Sequence, residues 1–410
     1  MRTHLRARLV GAALIGVTGL ALSACSGAQP AGSPGGAEPD RTSSSAPEVT
    51  NARLGITYDG GVMIVEEETM KHLGDLRAEG QLSIRPAGDQ RHLLVSVAEG
   101  FRVLDTGVEV RGHDDHVHLY GHDPKLTDVV FPAPKPGHAV VHDNRLALFS
   151  DEAGTIQVLD PHDLLKGPAA ATTTTVPAHH GVAVPTADGL IVSRPEVNGV
   201  NVLDASGAVR ATTSDCPKLH GEATANEAVT FGCADGTIIV RDAEITKVTS
   251  PDAGGRMATQ VGSHNSDIVL ADYRLEGQPL DRVALVDTES DSIRVVQLPA
   301  PYSSRSLGRV AEGQALVLTT DGNLHIINEK DGSVTGVIKV IEPWIAPEKF
   351  SDPRPALRVV GNIAYVTEPA SSKLHAVHLP TSELVDSVTL PHVPNQIADV
   401  GLGAEAHHHD

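Results

Sequence analysis

The stretch TFGCADGTIIVRD (230–242) contains the unit from which most of this chain is built. Its apolar residues alternate with small or polar ones on both sides of an Asp-Gly turn. That pattern is typical of two half-buried antiparallel strands joined by a hairpin. The same pattern recurs in seven other segments: ITYDGGVMIVEEETM (56–70), LVSVAEGFRVLDTG (94–107), LFSDEAGTIQVLD (148–160), VSRPEVNGVNVLD (192–204), VLADYRLEGQPLDRVALVDTES (269–290), LTTDGNLHIINEKDG (318–332) and VTEPASSKLHAVHLPTSE (366–383).

Eight units of about 44 residues each fit the length of a propeller blade. Because no segment shows a sustained helical period, we predict an all-β fold, a β-propeller of eight blades, or seven if one unit is not a blade. A last inner-strand run at 395–400 has no hairpin after it, and the first hairpin at 56–70 has no such run before it. We therefore expect the C-terminal run to complete the N-terminal blade, which closes the ring and removes an open sheet edge.

The first residues resemble a bacterial lipoprotein signal. Three arginines precede an apolar run (9–22) that is too short for a comfortable membrane span, and the run ends in Leu-Ser-Ala-Cys at residues 22–25. We interpret residues 1–24 as the signal peptide and Cys25 as the lipidated first mature residue. A plain secretory signal with an incidental cysteine is the alternative. The expected location is the outer face of the cell membrane or the periplasm, with contact to the membrane through the lipid anchor only.

Composition divides the remainder into three parts. Residues 25–52 are rich in Ser, Gly, Pro, Ala and Thr, so they cannot bury enough surface to fold and are expected to form a tether. Residues 53–403 form the predicted propeller, and residues 404–410 form a His-rich tail. The chain has 32 Lys and Arg against 52 Asp and Glu, a net charge of −20, which argues against nucleic acid and fits a protein that attracts cations.

Only two cysteines follow Cys25. In an oxidising compartment, Cys216 and Cys233 most simply form a disulfide. The alternative is a thiolate metal site, although the chain has no Cys-x-x-Cys pair.

A first group of histidines is local in sequence. GHDDHVHLYGH (112–122) contains His113, His116, His118 and His122 among aspartates. Neutral imidazole is a ligand suited to zinc, and carboxylates can complete the shell, so we predict an accessible zinc site in this run, in or beside the outer turn of the second hairpin. The alternative is a solvated polar loop.

A second group appears when the predicted innermost runs are compared. Histidines at like positions would converge at one mouth of the central channel, and a carboxylate could join them; the set is His138, His180, His220, His392 and Glu222. We predict a second metal site there, the alternative being that each histidine only packs or bonds to a carbonyl. The tail histidines 407–409 either capture metal or have no role.

The runs DCPKLHGEATANEAVTFGCADGTIIV (215–240) and GHDDHVHLYGH (112–122) resemble those of the periplasmic zinc metallochaperones encoded beside zinc ABC transporters, the AztD-like β-propeller proteins. This resemblance implies zinc (Zn2+) as cargo and, as partner, the solute-binding protein of such a transporter. By this resemblance, His113, His116 and His118 correspond to the histidine-rich motif of the family. His220 corresponds to the family's histidine that lies between the two cysteines. The assignment of His138, His180 and His392 rests on the strand comparison alone.

We therefore expect a zinc-binding chaperone and no catalysed reaction. Two other classes remain open at this point. One is a propeller enzyme of the lactonase or metal-dependent hydrolase type, although no nucleophile elbow or Walker loop is present. The other is a zinc buffer without a transfer partner, or a propeller that only binds protein.

Overall fold

The alternating segments form strands, and the strands group into eight four-stranded antiparallel sheets, the blades of a β-propeller. The computed structural model describes residues 48–49, 52–113, 116–194, 196, 198–310 and 313–400, with backbone only for 48–49 and 110–118. The predictions for Cys25 and for the tail at 404–410 lie outside the described residues. Within the described part, no helix is long and apolar enough to cross a membrane.

The strands of each blade are given from the inner strand outward. Blade 1 consists of β35 (Ile397–Val400), β2 (Arg53–Tyr58), β3 (Gly61–Glu66) and β4 (His72–Arg77), and blade 2 consists of β5 (Ile84–Pro86), β6 (His92–Val97), β7 (Gly100–Asp105) and β10 (Lys125–Pro132). Blade 3 consists of β11 (Pro136–His142), β12 (Arg145–Ser150), β13 (Thr155–Leu159) and β14 (Thr172–Thr175), and blade 4 consists of β15 (Ala183–Thr186), β16 (Gly189–Arg194), β17 (Gly199–Asp204) and β18 (Val209–Thr212). A 3-10 helix, Pro161–Ala170, connects the two outer strands of blade 3.

Blades 5 to 8 follow the same order. Blade 5 consists of β19 (His220–Thr224), β20 (Val229–Cys233), β21 (Gly236–Arg241) and β22 (Glu244–Thr249), and blade 6 consists of β23 (Gln260–Val261), β24 (Ile268–Tyr273), β25 (Arg282–Asp287) and β26 (Ser292–Gln297). Blade 7 consists of β27 (Tyr302–Arg309), β28 (Gln314–Thr319), β29 (Asn323–Asn328) and β30 (Val334–Lys339), and blade 8 consists of β31 (Leu357–Val360), β32 (Ile363–Glu368), β33 (Lys373–His378) and β34 (Glu383–Thr389). A short 3-10 helix, Pro369–Ser371, lies in blade 8.

Pairing of the last described strand with the first long one closes the ring. β35 runs antiparallel to β2, with Ile397 opposite Ile56 and Val400 opposite Arg53. The prediction of eight blades closed by the C-terminal run is therefore confirmed. The core lies between the blades, where strands of neighbouring sheets bury their apolar faces, as Val184 and Ile191 of blade 4 do against Phe231 of blade 5. Burial of such side chains contributes about 1.5–3 kcal/mol each.

An extra hairpin interrupts blade 2. Strands β8 (Val108–His113) and β9 (His116–Gly121) form a separate sheet inserted between β7 and β10, and β1 (Glu48–Val49) adds a third strand to it. The histidine-rich run therefore lies on an additional hairpin rather than on the outer turn of a blade hairpin. The strand Glu48–Val49 lies within the segment expected to be a tether.

The two remaining cysteines form a disulfide in blade 5. Cys216, which precedes the inner strand, lies 4.9 Å from Cys233 at the end of β20, measured between Cα atoms. Both side chains are fully buried in the core between blades 4 and 5. The bridge closes a loop with a sequence separation of 17, which stabilises the fold by about 3 kcal/mol.

Candidate functional site

Three histidine rings from three successive blades meet where the inner strands begin. His138 lies in β11, His180 lies just before β15, and His220 is the first residue of β19. The ring centroids are 5.2 Å apart for His138 and His180, 5.4 Å for His180 and His220, and 6.3 Å for His138 and His220. These three residues are called the histidine cluster below.

Each ring of the cluster is held through the same nitrogen. Nδ1 of His138 donates to the Glu222 carboxylate at 3.0 Å, and Nδ1 of His180 donates to Asp151 Oδ2 at 2.8 Å. Nδ1 of His220 lies 3.4 Å from the Ala258 carbonyl oxygen. Because these oxygens only accept, a neutral ring must carry its proton on Nδ1 and keep the lone pair on Nε2. Metal-ligating histidines in proteins have this arrangement, with the second nitrogen bonded to a carboxylate or carbonyl.

The spacing of the rings is close to that around one metal ion. Zinc lies 2.0–2.1 Å from an imidazole nitrogen, so three rings around it have centroids about 5 Å apart. Among the described residues, no three His, Cys, Asp or Glu side chains already stand at coordinating positions. His138 and His220, the most separated pair, would need to approach by about 1 Å to share an ion.

The pKa values of two histidines in the cluster are shifted in opposite directions. Burial lowers the pKa of His138, but the charge and hydrogen bond of Glu222 outweigh burial and raise that pKa overall. Burial lowers the pKa of His220, and the neighbouring charges of His138 and His180 lower it further. His220 is therefore easier to deprotonate for ligation than a free histidine, and His138 is harder, because Glu222 stabilises its protonated form.

A glycine makes room for the cluster in blade 5. Gly221 lies between His220 and Glu222, has φ +74°, and sits at a register shift in the pairing of β19 with β20. A Cβ at this position would lie 1.7 Å from the Ala258 carbonyl oxygen, the atom that His220 faces. Only glycine fits there, because the backbone is left-handed and the neighbouring blade is in contact.

The inserted hairpin carries His113, His116 and His118 on its two strands, and His122 directly follows the second strand. His113 and His116 are paired at its end, and His118 is paired with Arg111. Nε2 of His122 lies 2.9 Å from Glu109 Oε2, and its side chain is 41% exposed. Nη1 of Arg53 donates to the His122 carbonyl oxygen at 2.7 Å, which anchors the hairpin to blade 1.

His392 does not lie with the cluster. Its ring stacks on Tyr58 at 3.9 Å between centroids, and its Nε2 lies 3.4 Å from Asp75 Oδ1, on the outer strand of blade 1. His142, at the other end of β11 from His138, bonds to the Pro185 carbonyl oxygen. The contacts with Tyr58 and Asp75 therefore hold the His392 ring against blade 1 and not in the histidine cluster.

Asp151 is a member of the site that the sequence pattern concealed. It follows β12 in the run Asp-Glu-Ala-Gly, where an aspartate is expected simply as a turn residue. Its carboxylate is nearly buried and holds His180. No local signal marked this residue, because β13 and β14 separate its turn from His180 along the chain.

Comparison of the sequence with those of known proteins identifies a relative of this chain. No protein-family model matches the chain. The chain is 30% identical over 333 residues to the protein named zinc chaperone AztD from Citrobacter koseri, a match that covers 75% of this chain and 77% of that relative.

Solved structures agree with this match. The crystal structure of Citrobacter koseri AztD superposes with a TM-score of 0.75 at 27% identity, covering 87% of this chain and 99% of that one. The apo form of that protein gives 0.74 at the same identity. Dihydro-heme d1 dehydrogenase NirN, at 11% identity and a TM-score of 0.55 over 85% of this chain and 75% of that one, shares the fold alone.

Replacement of Gly221 by Ala should destabilise the protein more than replacement of Gly207 by Ala. Gly207 has φ +82° with no atom within 4 Å of an added Cβ, so only the left-handed backbone opposes alanine, at about 1–2 kcal/mol. Gly221→Ala adds the clash with Ala258 and should lose clearly more free energy of unfolding. Urea denaturation of both variants measures this; equal losses would show that blade 6 yields freely at this point.

Proposed function

The chain belongs to the family of AztD zinc chaperones, and from that premise we propose that it binds zinc at the histidine cluster and delivers the ion to another protein outside the cytoplasm. The observation that carries the proposal is the convergence of His138, His180 and His220, each held through Nδ1 by an oxygen. Their Nε2 lone pairs supply three imidazole ligands. The relative is named a chaperone and not an enzyme, and we assign no catalysed reaction.

Glu222 is proposed as the residue that couples zinc to protons. Its carboxylate holds the Nδ1 proton of His138 and, as a hard oxygen ligand, could take a position on zinc when that ring turns. The side chain is only 15% exposed, so its charge is weakly screened. An incoming cation would therefore compete with the proton of His138 for the negative charge of Glu222.

The hairpin histidines are proposed as a second, accessible zinc site: His113, His116, His118 and His122. The backbone pairing of His113 with His116 at the end of two short strands supports this proposal. An exposed site suits capture or docking, while the cluster suits holding. We also propose that Cys25 is lipidated, which would keep the domain near a membrane transporter and raise its effective concentration there.

Zinc titration of purified protein should separate the two sites. His180→Ala should abolish binding at the cluster, and Asp151→Asn should weaken it about 10- to 100-fold, because Asp151 orients the ring without ligating. His142→Ala is the matched control, since His142 lies on β11 but faces Pro185. Joint replacement of the three hairpin histidines His113, His116 and His118 by alanine should remove a different equivalent of zinc. Unchanged stoichiometry in either set would disprove that site.

Zinc affinity at the cluster should fall as the pH decreases. Imidazole must be neutral to ligate, and the raised pKa of His138 means that its proton competes with zinc already at a higher pH than for a free histidine. Glu222→Gln removes the charge that raises this pKa, so the loss of affinity should begin at a lower pH than in the wild type. Asp75→Asn, beside His392, is the control. Identical pH profiles for wild type and Glu222→Gln would exclude this coupling.

Transfer to a partner is tested by mixing zinc-loaded protein with the zinc-free solute-binding protein of a zinc ABC transporter. If the two dock, zinc should move faster than it is released to a chelator present at the same concentration, because a complex avoids free diffusion of the ion. If zinc moves to the partner no faster than it is released to the chelator, the protein is a zinc buffer and not a chaperone.

A further inference from the structure

The half of the channel mouth opposite the histidine cluster is lined by arginines. The cluster comes from blades 3, 4 and 5, whereas Arg305 lies in β27 of blade 7, Arg354 lies just before β31 of blade 8, and Arg85 lies in β5 of blade 2. All three are near the beginning of an inner strand, so they face the same end of the ring.

Two of these arginines reach the same short segment from opposite sides. Nη1 of Arg305 donates to the Asn395 side chain and carbonyl oxygen, and Nη1 of Arg85 lies 3.5 Å from Oε1 of Gln396. Asn395 and Gln396 are adjacent residues that lead into β35. The guanidinium groups of blades 7 and 2 are therefore brought together over the entry to blade 1.

The third arginine joins them through an aromatic ring. The guanidinium carbons of Arg305 and Arg354 lie 5.2 Å and 5.5 Å from the centroid of the Phe350 ring. Arg354 is only 6% exposed, and its hydrogen bonds go to the carbonyl oxygens of Lys349 and Asp352. Arg305 likewise donates to the Phe350 carbonyl oxygen at 3.1 Å.

None of these three arginines forms an ion pair with a carboxylate among the described residues. Their hydrogen-bond partners are carbonyl and amide oxygens. This is unusual in a chain with a net charge of −20, in which Arg210, Arg241 and Arg358 all pair with aspartates. Burial first, and then the charges of Arg354 and Arg85, lowers the pKa of Arg305 to about 10, so the group stays charged at neutral pH while its charge is uncompensated.

We propose that this arginine-lined half of the channel mouth, formed by Arg85, Arg305 and Arg354, binds a small multivalent oxyanion of the phosphate or polycarboxylate class. Planar guanidinium groups donate pairs of hydrogen bonds that match such anions. The anion supplies the ionic partner that none of these three arginines has among the described residues. The charge of Arg85 interacts with Glu222 and His138, so this site adjoins the histidine cluster, but no residue of the cluster is needed to hold the anion.

Isothermal titration of inorganic phosphate, and separately of citrate, into the zinc-free mature protein tests the proposal. Chelator must be removed by dialysis first, because it is itself a polyanion. At least one probe should bind at one site per chain and bind more weakly as salt is added, since salt screens the attraction. If neither probe binds at millimolar concentration, the proposal is overturned. The probe that binds more tightly identifies whether phosphate or carboxylate is the preferred group.

Variants locate the site. Arg85→Gln and Arg305→Gln should each weaken binding of the probe about tenfold or more, because a charged hydrogen-bond donor is lost. Arg210→Gln, which removes a surface guanidinium paired with Asp242, is the matched control and should bind as the wild type does. Arg305→Lys retains the charge and protects the fold, and it should bind more weakly than the wild type but more tightly than Arg305→Gln. Wild-type affinity in either glutamine variant would overturn the site.

Discussion

Pairing of β35 with β2 determines where every side chain discussed above lies. This pairing places the C-terminal strand at the inner position of blade 1, between the inner strands of blades 8 and 2. All eight inner strands then begin at one end of the ring. Residues separated by more than two hundred positions, such as Arg85 and Asn395, become neighbours of one channel mouth only because the ring is closed. Closure also removes the sheet edges that an open ring would expose.

The channel mouth is divided electrostatically by blade. Blades 3 to 5 contribute three imidazoles and two carboxylates, and blades 7, 8 and 2 contribute three arginines that form no ion pair within the described part of the chain. The charges of Arg85 and Glu222 interact across the boundary between the halves. A cation is therefore attracted to one half and repelled by the other, which would restrict the direction from which zinc reaches the cluster if it binds there as proposed.

The blade repeat was predictable because each hairpin has a local pattern, with alternating apolar residues around an Asp-Gly turn. The number of blades and the closure followed from counting these units. The extra hairpin was not distinguished from a blade turn, because β8 and β9 alternate as blade strands do. His392 resembled His180 and His220 in sequence, but its loop leads it to Tyr58 instead of the channel. Asp151 and the arginines depend on contacts between blades, which no local pattern contains.

The chemistry of the cluster favours a metal that is exchanged over one that is retained. Both cysteines that follow Cys25 are joined in a disulfide, so no thiolate is available to make a closed zinc site. His138 and His220 have pKa values shifted in opposite directions, and, if the cluster binds zinc as proposed, His138 and His180 keep Glu222 and Asp151 as hydrogen-bond partners when the ion leaves. Two of the three proposed ligands thus have a carboxylate partner that stabilises them without the ion. Stepwise release, in which one ring leaves while the others hold the ion, avoids the single barrier of losing all ligands together.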